Sequence, residues 1–222
     1  MKKTKIFAIL SLLFLLIIIL FSIISNARKQ ETYHILVDVE ESKMYILKNG
    51  NIEKVYPCAG GKNSTPSPIG TWQIISKGMW GEGFGGRFMG FNCTWGKFGI
   101  HGTTEIYSVG WNSSHGCIRM NNKDVAELYS YIPIGTKVTI VDGPYGNFGR
   151  GFRNLKSGMY GSDVLEIQKR LKELGYFNSQ PNGKFGAETE NAIRKYCKEN
   201  NLYVRKTIDI ELQKHMGFKL MD

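Results

Sequence analysis

Ser114-His115-Gly116-Cys117-Ile118-Arg119-Met120 puts a thiol beside an imidazole, and a second His-Gly pair, His101-Gly102, lies about a dozen residues upstream. The chain holds four histidines and four cysteines in 222 residues, and two of each fall between Cys93 and Cys117. The thiolate is the reactive form of cysteine, and an imidazole within reach can draw off its proton. Gly102 and Gly116 let backbone and substrate approach closely. These residue types in this order point to a cysteine acyltransferase with Cys117 as nucleophile and His101 as base. His115 is the alternative base, with His101 then structural. Cys93, His101, His115 and Cys117 are also four groups of the kind that bind zinc, but they lack the close cysteine pair of structural zinc sites.

The segments around this chemistry say where it takes place. Ile6 to Ile24 is a nearly unbroken apolar run flanked by Lys2, Lys3 and Lys5. At about 1.5 Å rise per residue it is just long enough to cross a bilayer core of roughly 30 Å. The lysines belong on the cytoplasmic side, which puts the rest of the chain outside. A cleaved signal peptide, ending at Ser25-Asn26-Ala27, is the alternative to an anchor, and both export the domain. The charge balance of 29 basic to 19 acidic residues, net +10, would suit nucleic acid, but export removes that partner. An anionic wall polymer or lipid surface fits better, as does a basic face kept for solubility. Cys58 and Cys93 are candidates for a disulfide or, like Cys197, for small buried apolar residues.

From Thr32 to about Asp142 the pattern is β. Tyr33 to Val39 and Lys43 to Leu47 alternate, and Asn49-Gly50 marks a tight hairpin into Ile52 to Cys58. Thr71 to Ile75 reads as another strand. A stretch rich in Gly, Phe and Trp follows, from Gly78 to Trp95, expected as strands joined by a flexible loop able to fold over a cleft. Asp124 to Ile132 has helical spacing, and Lys137 to Val141 closes the domain as a strand.

Composition shifts at Asp142. Gly143 to Gly149 reads as a linker. Beyond it three helices are expected. The first is capped by Asp163, with Val164, Ile167, Leu171 and Leu174 on one face. The second runs from Ala187 to Asn200. The third is capped by Thr207, with Ile208, Leu212 and Met216 inward.

His101-Gly102-Thr103, Ser114-His115-Gly116-Cys117-Ile118-Arg119, the short helix after them and the strand Gly135-Thr136-Lys137-Val138-Thr139-Ile140 together resemble the catalytic domain of the L,D-transpeptidases, the YkuD family. Thr65-Pro66 and Pro68-x-Gly70-Thr71-Trp72 resemble a further segment of that family, with an extra residue in it. The helical module is similar to a type-1 peptidoglycan-binding domain through Gly161-Ser162-Asp163-Val164, Ile167-Gln168, Leu171, Leu174-Gly175-Tyr176, Gly183, Phe185-Gly186 and Thr189. It departs from that pattern at Asn182 and Cys197, which puts ligand affinity in question more than the fold.

The apolar run, the composition shift and the two resemblances together give an N-terminal membrane segment over 1–30, a mainly β catalytic domain over 31–142 built as a β-sandwich with a short helix, a linker over 143–152 and a three-helix all-α domain over 153–222. The first resemblance implies that Cys117 attacks a tetrapeptide stem of peptidoglycan, releases D-alanine, and passes the thioester to a neighbouring amine to give a 3→3 crosslink. His101 would act as base, with the Gly102 carbonyl fixing its tautomer. The N–H groups of His115, Gly116 and Cys117 would hold the oxyanion, Ser114 and His115 would support the loop, and Arg119 would bind a substrate carboxylate or shape the site. No cofactor is needed, and the partners are peptidoglycan stem peptides and glycan. Water in place of the acceptor amine would make the enzyme an L,D-carboxypeptidase. A non-catalytic wall-binding protein is the reading from another class, and the His101/Cys117 pair argues against it.

Overall fold

The alternation that marks Tyr33–Asp38 (β1) as a strand buries Ile35 and Val37 completely while leaving Tyr33, His34, Leu36 and Asp38 partly exposed. Lys43–Lys48 (β2) does the same with Met44 and Ile46. Asn49 and Gly50 both take positive φ, the two-residue turn that the right-handed twist of a hairpin favours, and lead into Asn51–Pro57 (β3). The computed structural model describes residues 13–16 and 31–220. Residues 13–16 are helical, and the rest of the apolar run Ile6–Ile24 lies outside the described residues. Among the described residues no helix is long and apolar enough to cross a membrane. Tyr33–Asp222 forms one unit.

Five more strands complete the sheet: Gly70–Gly78 (β4), Phe88–Phe91 (β5), Gly99–Thr103 (β6), Ile118–Asn121 (β7) and Lys137–Val141 (β8). Their order is β3-β2-β1-β8-β4-β5-β6-β7. The pairs β1/β8 and β6/β7 are parallel and the others antiparallel. The expected sandwich is instead one continuous, curled sheet. The reason is β4, whose nine residues serve two partners: Gly70–Gln73 pair with β8, and Ile74–Gly78 pair with β5 across an irregular register. The curl brings the two ends together, where Ala59, just past β3, exchanges two 2.9 Å backbone hydrogen bonds with Arg119 of β7. A helix over Asn122–Tyr131 (α1) covers the sheet with Val125 and Leu128.

The remaining elements form a second core. Ser162–Glu173 (α2), Ala187–Glu199 (α3) and the short Ile210–His215 (α4) bury Val164, Ile167, Leu171, Ile193, Cys197 and Leu212. Two expected caps differ. Asp163 lies inside α2, where its carboxylate pairs with Arg153, so Gly161 precedes the helix without a side-chain cap. Asp209, not Thr207, caps α4 by accepting from Leu212 N–H at 2.8 Å. The expected linker is folded. Tyr145 N–H donates to Gly149 O at 3.0 Å, Asn147 Nδ2 donates to Glu166 Oε1 at 3.0 Å, and Phe148 packs edge-on against Phe152 and Phe218.

The two cores are docked on each other. Ser162 Oγ donates to the carbonyl of Ile69, Thr94 Oγ1 donates to Asn182 O at 2.8 Å, and Leu165 packs against the β core. Gly183 has φ +71°, and a Cβ there would lie 2.3 Å from the Trp95 ring, so the close approach of the modules requires glycine.

Candidate active site

The parallel pair β6/β7 sets the geometry. Ile100 faces Ile118 in register, both fully buried in the core, so the residues on either side of them project from the opposite face. That face carries His101 of β6 and Arg119 of β7, which are in register, and Cys117 at the mouth of β7. Cys117 is thus the diagonal neighbour of His101. A strand spacing of about 4.8 Å and a rise of about 3.3 Å per residue put their Cα atoms roughly 8 Å apart, within span of the two side chains. Gly99, in line with Cys117, adds no side chain between them.

His101 is only 5 % exposed. Its Nδ1 lies 2.6 Å from Gly102 O. A carbonyl can only accept, so Nδ1 carries the proton and Nε2 keeps its lone pair as the basic atom. Burial lowers the imidazole's proton affinity below the ordinary histidine value. The Gly102 carbonyl offsets this in part and the Arg119 charge adds to it. The segment between β4 and β5 supplies the burial. Phe84 meets the His101 ring edge-on at 4.9 Å, and Trp80 stacks on Phe88 at 4.0 Å, which itself packs on His101. The Gly- and aromatic-rich stretch, with Phe84 ahead of β5 and Phe88 in it, therefore covers His101.

Cys117 is partly buried, its Sγ 3.9 Å from Lys97 O. Burial raises its thiol above the ordinary cysteine value, and a backbone hydrogen bond from Gly99 and the Arg119 charge pull the other way. Burial thus favours the neutral form of both groups. The other cysteines differ in setting. Cys58 is held in the core with its thiol pushed up to about 12, and Cys93 is pushed up to about 11, each chiefly by burial. All four cysteines are free.

The 114–117 turn is held from within. Ser114, 1 % exposed, donates from Oγ to Cys117 O at 2.6 Å and accepts from Gly116 N–H at 2.9 Å. Gly116 sits at φ +112°, and a Cβ would lie 2.4 Å from Phe98 and 3.1 Å from Pro66 O, so no other residue fits. The Gly116 N–H, expected to face an oxyanion, is committed to Ser114, which leaves the N–H groups of His115 and Cys117 as the turn's uncommitted donors. The His115 side chain is exposed, so its ring is not packed within the turn. Thr65 Oγ1 donates to Ser114 O at 3.1 Å and Ser67 Oγ accepts from Gly61 N–H at 2.9 Å, which ties the Thr-Pro segment to the same turn.

Arg119 Nη1 donates to Glu105 Oε2 at 2.8 Å. Glu105, Phe84, Phe88 and Phe98 thus join the site without having been singled out from the sequence. Phe84 and Phe88 lie in the segment read as a lid, and Phe98 lies three residues beyond it. Glu105 carries no signal of its own, because its partner lies 14 residues away across two strands.

The L,D-transpeptidase catalytic domain family matches residues 32–140, and a peptidoglycan binding domain family matches residues 160–204. YkuD of Bacillus subtilis (strain 168), named as an L,D-transpeptidase, is 42% identical over 110 residues, which cover 49% of this chain and 65% of that protein. The Bacillus licheniformis YkuD is 37% identical over 122 residues, covering 53% of this chain and 72% of that protein. The chain thus spans about two thirds of the length of these relatives. Among solved structures, an L,D-transpeptidase from Mycobacterium smegmatis is similar with a TM-score of 0.43 and 21% identity, over 50% of this chain and 58% of that one. The match to relatives that it largely spans, over the residues that build the site, shows that the chain belongs to the L,D-transpeptidase family, with a peptidoglycan-binding domain after the catalytic one.

Proposed function

We propose that this enzyme crosslinks peptidoglycan by acyl transfer through Cys117. The observation that carries the reading is the shared face of β6 and β7, with His101 held by Gly102 in the tautomer whose free Nε2 can accept a proton. The Cys117 thiol gives its proton to Nε2 as sulfur attacks the stem carbonyl that precedes the terminal D-alanine. The N–H groups of His115 and Cys117 stabilise the oxyanion, at about 3 kcal/mol per donor. The C–N bond breaks, His101 returns the proton to the departing D-alanine nitrogen, and a thioester remains. The amine of a neighbouring stem then attacks the thioester, its proton passes through His101 to the sulfur, and a 3→3 link and a free thiol result. Arg119 orients a substrate carboxylate, exchanging part of its pairing with Glu105. The lysines and apolar run at the N-terminus support a catalytic domain held outside the cytoplasmic membrane.

The test is incubation of the protein with purified disaccharide-tetrapeptide, followed by mass analysis of the products. A crosslinked dimer with free D-alanine is expected. Tripeptide alone would make the enzyme a carboxypeptidase, and unchanged substrate would remove the activity.

A further inference from the structure

Where the two cores meet they leave a groove of about 380 Å³. Its walls include Asn63, Pro66 and Trp95 from the β unit, Phe148 and Arg150 from the connecting turn, and Tyr160 from the helical module. We propose that this groove binds the glycan of the substrate, a neutral strand of N-acetylated amino sugars, and so seats the attached stem peptide at Cys117. The proposal rests on the transpeptidase reading for the identity of the polymer.

Charge pairing argues for a neutral ligand. Arg153 grips both carboxylate oxygens of Asp163, Nε to Oδ2 at 2.5 Å and Nη2 to Oδ1 at 3.1 Å. Arg150 donates from Nε and Nη2 to Asp142 Oδ1 at 3.2 and 3.3 Å. All four groups line the groove, so each cation brings its own counter-charge and no net field invites a carboxylate. What remains is a rim of planar polar groups around apolar surface. That combination suits sugar rings, whose hydroxyl and acetamide edges hydrogen-bond while their C–H faces lie on aromatic carbon. Tyr160 offers such a face, standing 51% exposed at the rim.

Position argues for a link to catalysis. Pro66 lines the groove, and its carbonyl packs against Gly116 of the Cys117 turn. Thr65, the residue before it, is hydrogen-bonded to Ser114. One short segment is therefore wall to both sites. The groove is also preformed, because Trp95 against Gly183 and Thr94 against Asn182 hold the modules together, so little ordering cost attends binding. The two departures from the peptidoglycan-binding pattern do not weaken it. Cys197 is fully buried in the helical core, and the Asn182 side chain is turned to Lys184 N–H at 2.9 Å within its own turn.

The probe is chitotetraose, an uncharged N-acetylglucosamine oligomer without peptide, titrated into the full-length protein by calorimetry. Binding is expected, with Tyr160→Ala weakening it about tenfold, as loss of an aromatic anchor does. Tyr160→Phe, which keeps the ring, should bind as the parent does and reports that the groove is intact. Turnover of a free tetrapeptide without sugar should be the same in all three proteins. Equal affinity in Tyr160→Ala, or no binding of chitotetraose by the parent protein, would overturn the groove assignment, whatever the turnover. Groove-dependent binding without tetrapeptide turnover would uphold the groove and sink the transpeptidase reading instead.

Discussion

Ser114 and Cys117 are joined across their own turn, the serine hydroxyl donating 2.6 Å to the cysteine carbonyl while it accepts from Gly116 N–H. This fixes the backbone that presents the thiol. Ser114→Ala leaves the partly buried Cys117 carbonyl and the buried Gly116 N–H without this partner, at a cost of about 1–3 kcal/mol. The expected result is a lower urea midpoint together with slower carbapenem acylation of Cys117. An unchanged acylation rate in a stable Ser114→Ala protein would show that the turn holds its shape without the hydroxyl.

His101 and His115 have opposite settings, one roofed by Phe84 and Phe88 and the other exposed. His101→Ala should slow acylation by about 10²–10⁴-fold, the usual worth of a positioned base. His115→Ala keeps the backbone N–H and should change the rate far less. Single-turnover acylation followed by mass spectrometry measures both, and the reverse ranking would make His115 the base.

Burial of His101 also sets a pH dependence of stability. The unfolded imidazole takes up a proton near pH 6.5, whereas the folded one does so only at lower pH. Between those values the unfolded chain binds more protons, so stability falls as pH drops below about 6.5 and is unaffected above it. His34, lowered by burial and by Lys137, contributes in the same direction. His101→Gln should therefore show a shallower loss of urea midpoint between about pH 7 and pH 5 than the parent protein. Parallel curves would mean that His101 is not the group responsible.

Local features of this architecture were legible in the sequence. The Asn49-Gly50 hairpin, the alternation in β1 and β2, β8 and the stripes of α2 and α3 all follow from near-neighbour patterns. So does the Cys117 motif, because its chemistry is carried by residue type. Features made by distant pairs were not legible. β5, β6 and β7 are only four or five residues long and lie in or beside a Gly-rich tract, so no period establishes itself. The closure of the sheet depends on Ala59 meeting Arg119, and the Glu105 partnership of Arg119 depends on the same curl. The segment between the two domains is folded, its glycines serving tight turns, which a Gly-rich composition does not announce.

Docking of the modules changes what truncation should do. A Gly-rich linker predicts few shared contacts, whereas Trp95, Ile69 and Leu165 all lie at the junction. Deleting residues from Phe152 onward should lower the melting temperature of the β unit. Gly183→Ala tests the same contact in the whole chain. The left-handed backbone alone costs about 1–2 kcal/mol, and the clash with Trp95 adds to it. Thermal unfolding of both proteins at the parent's melting temperature would reveal modules that merely touch.

The most direct measurement is the intact mass of the protein quenched in acid during turnover of disaccharide-tetrapeptide. The account predicts an adduct of the disaccharide-tetrapeptide lacking its D-alanine, mapped by digestion to the peptide containing Cys117, and no adduct in Cys117→Ser. Release of D-alanine by Cys117→Ser at the parent rate, or an adduct on any other residue, would contradict it.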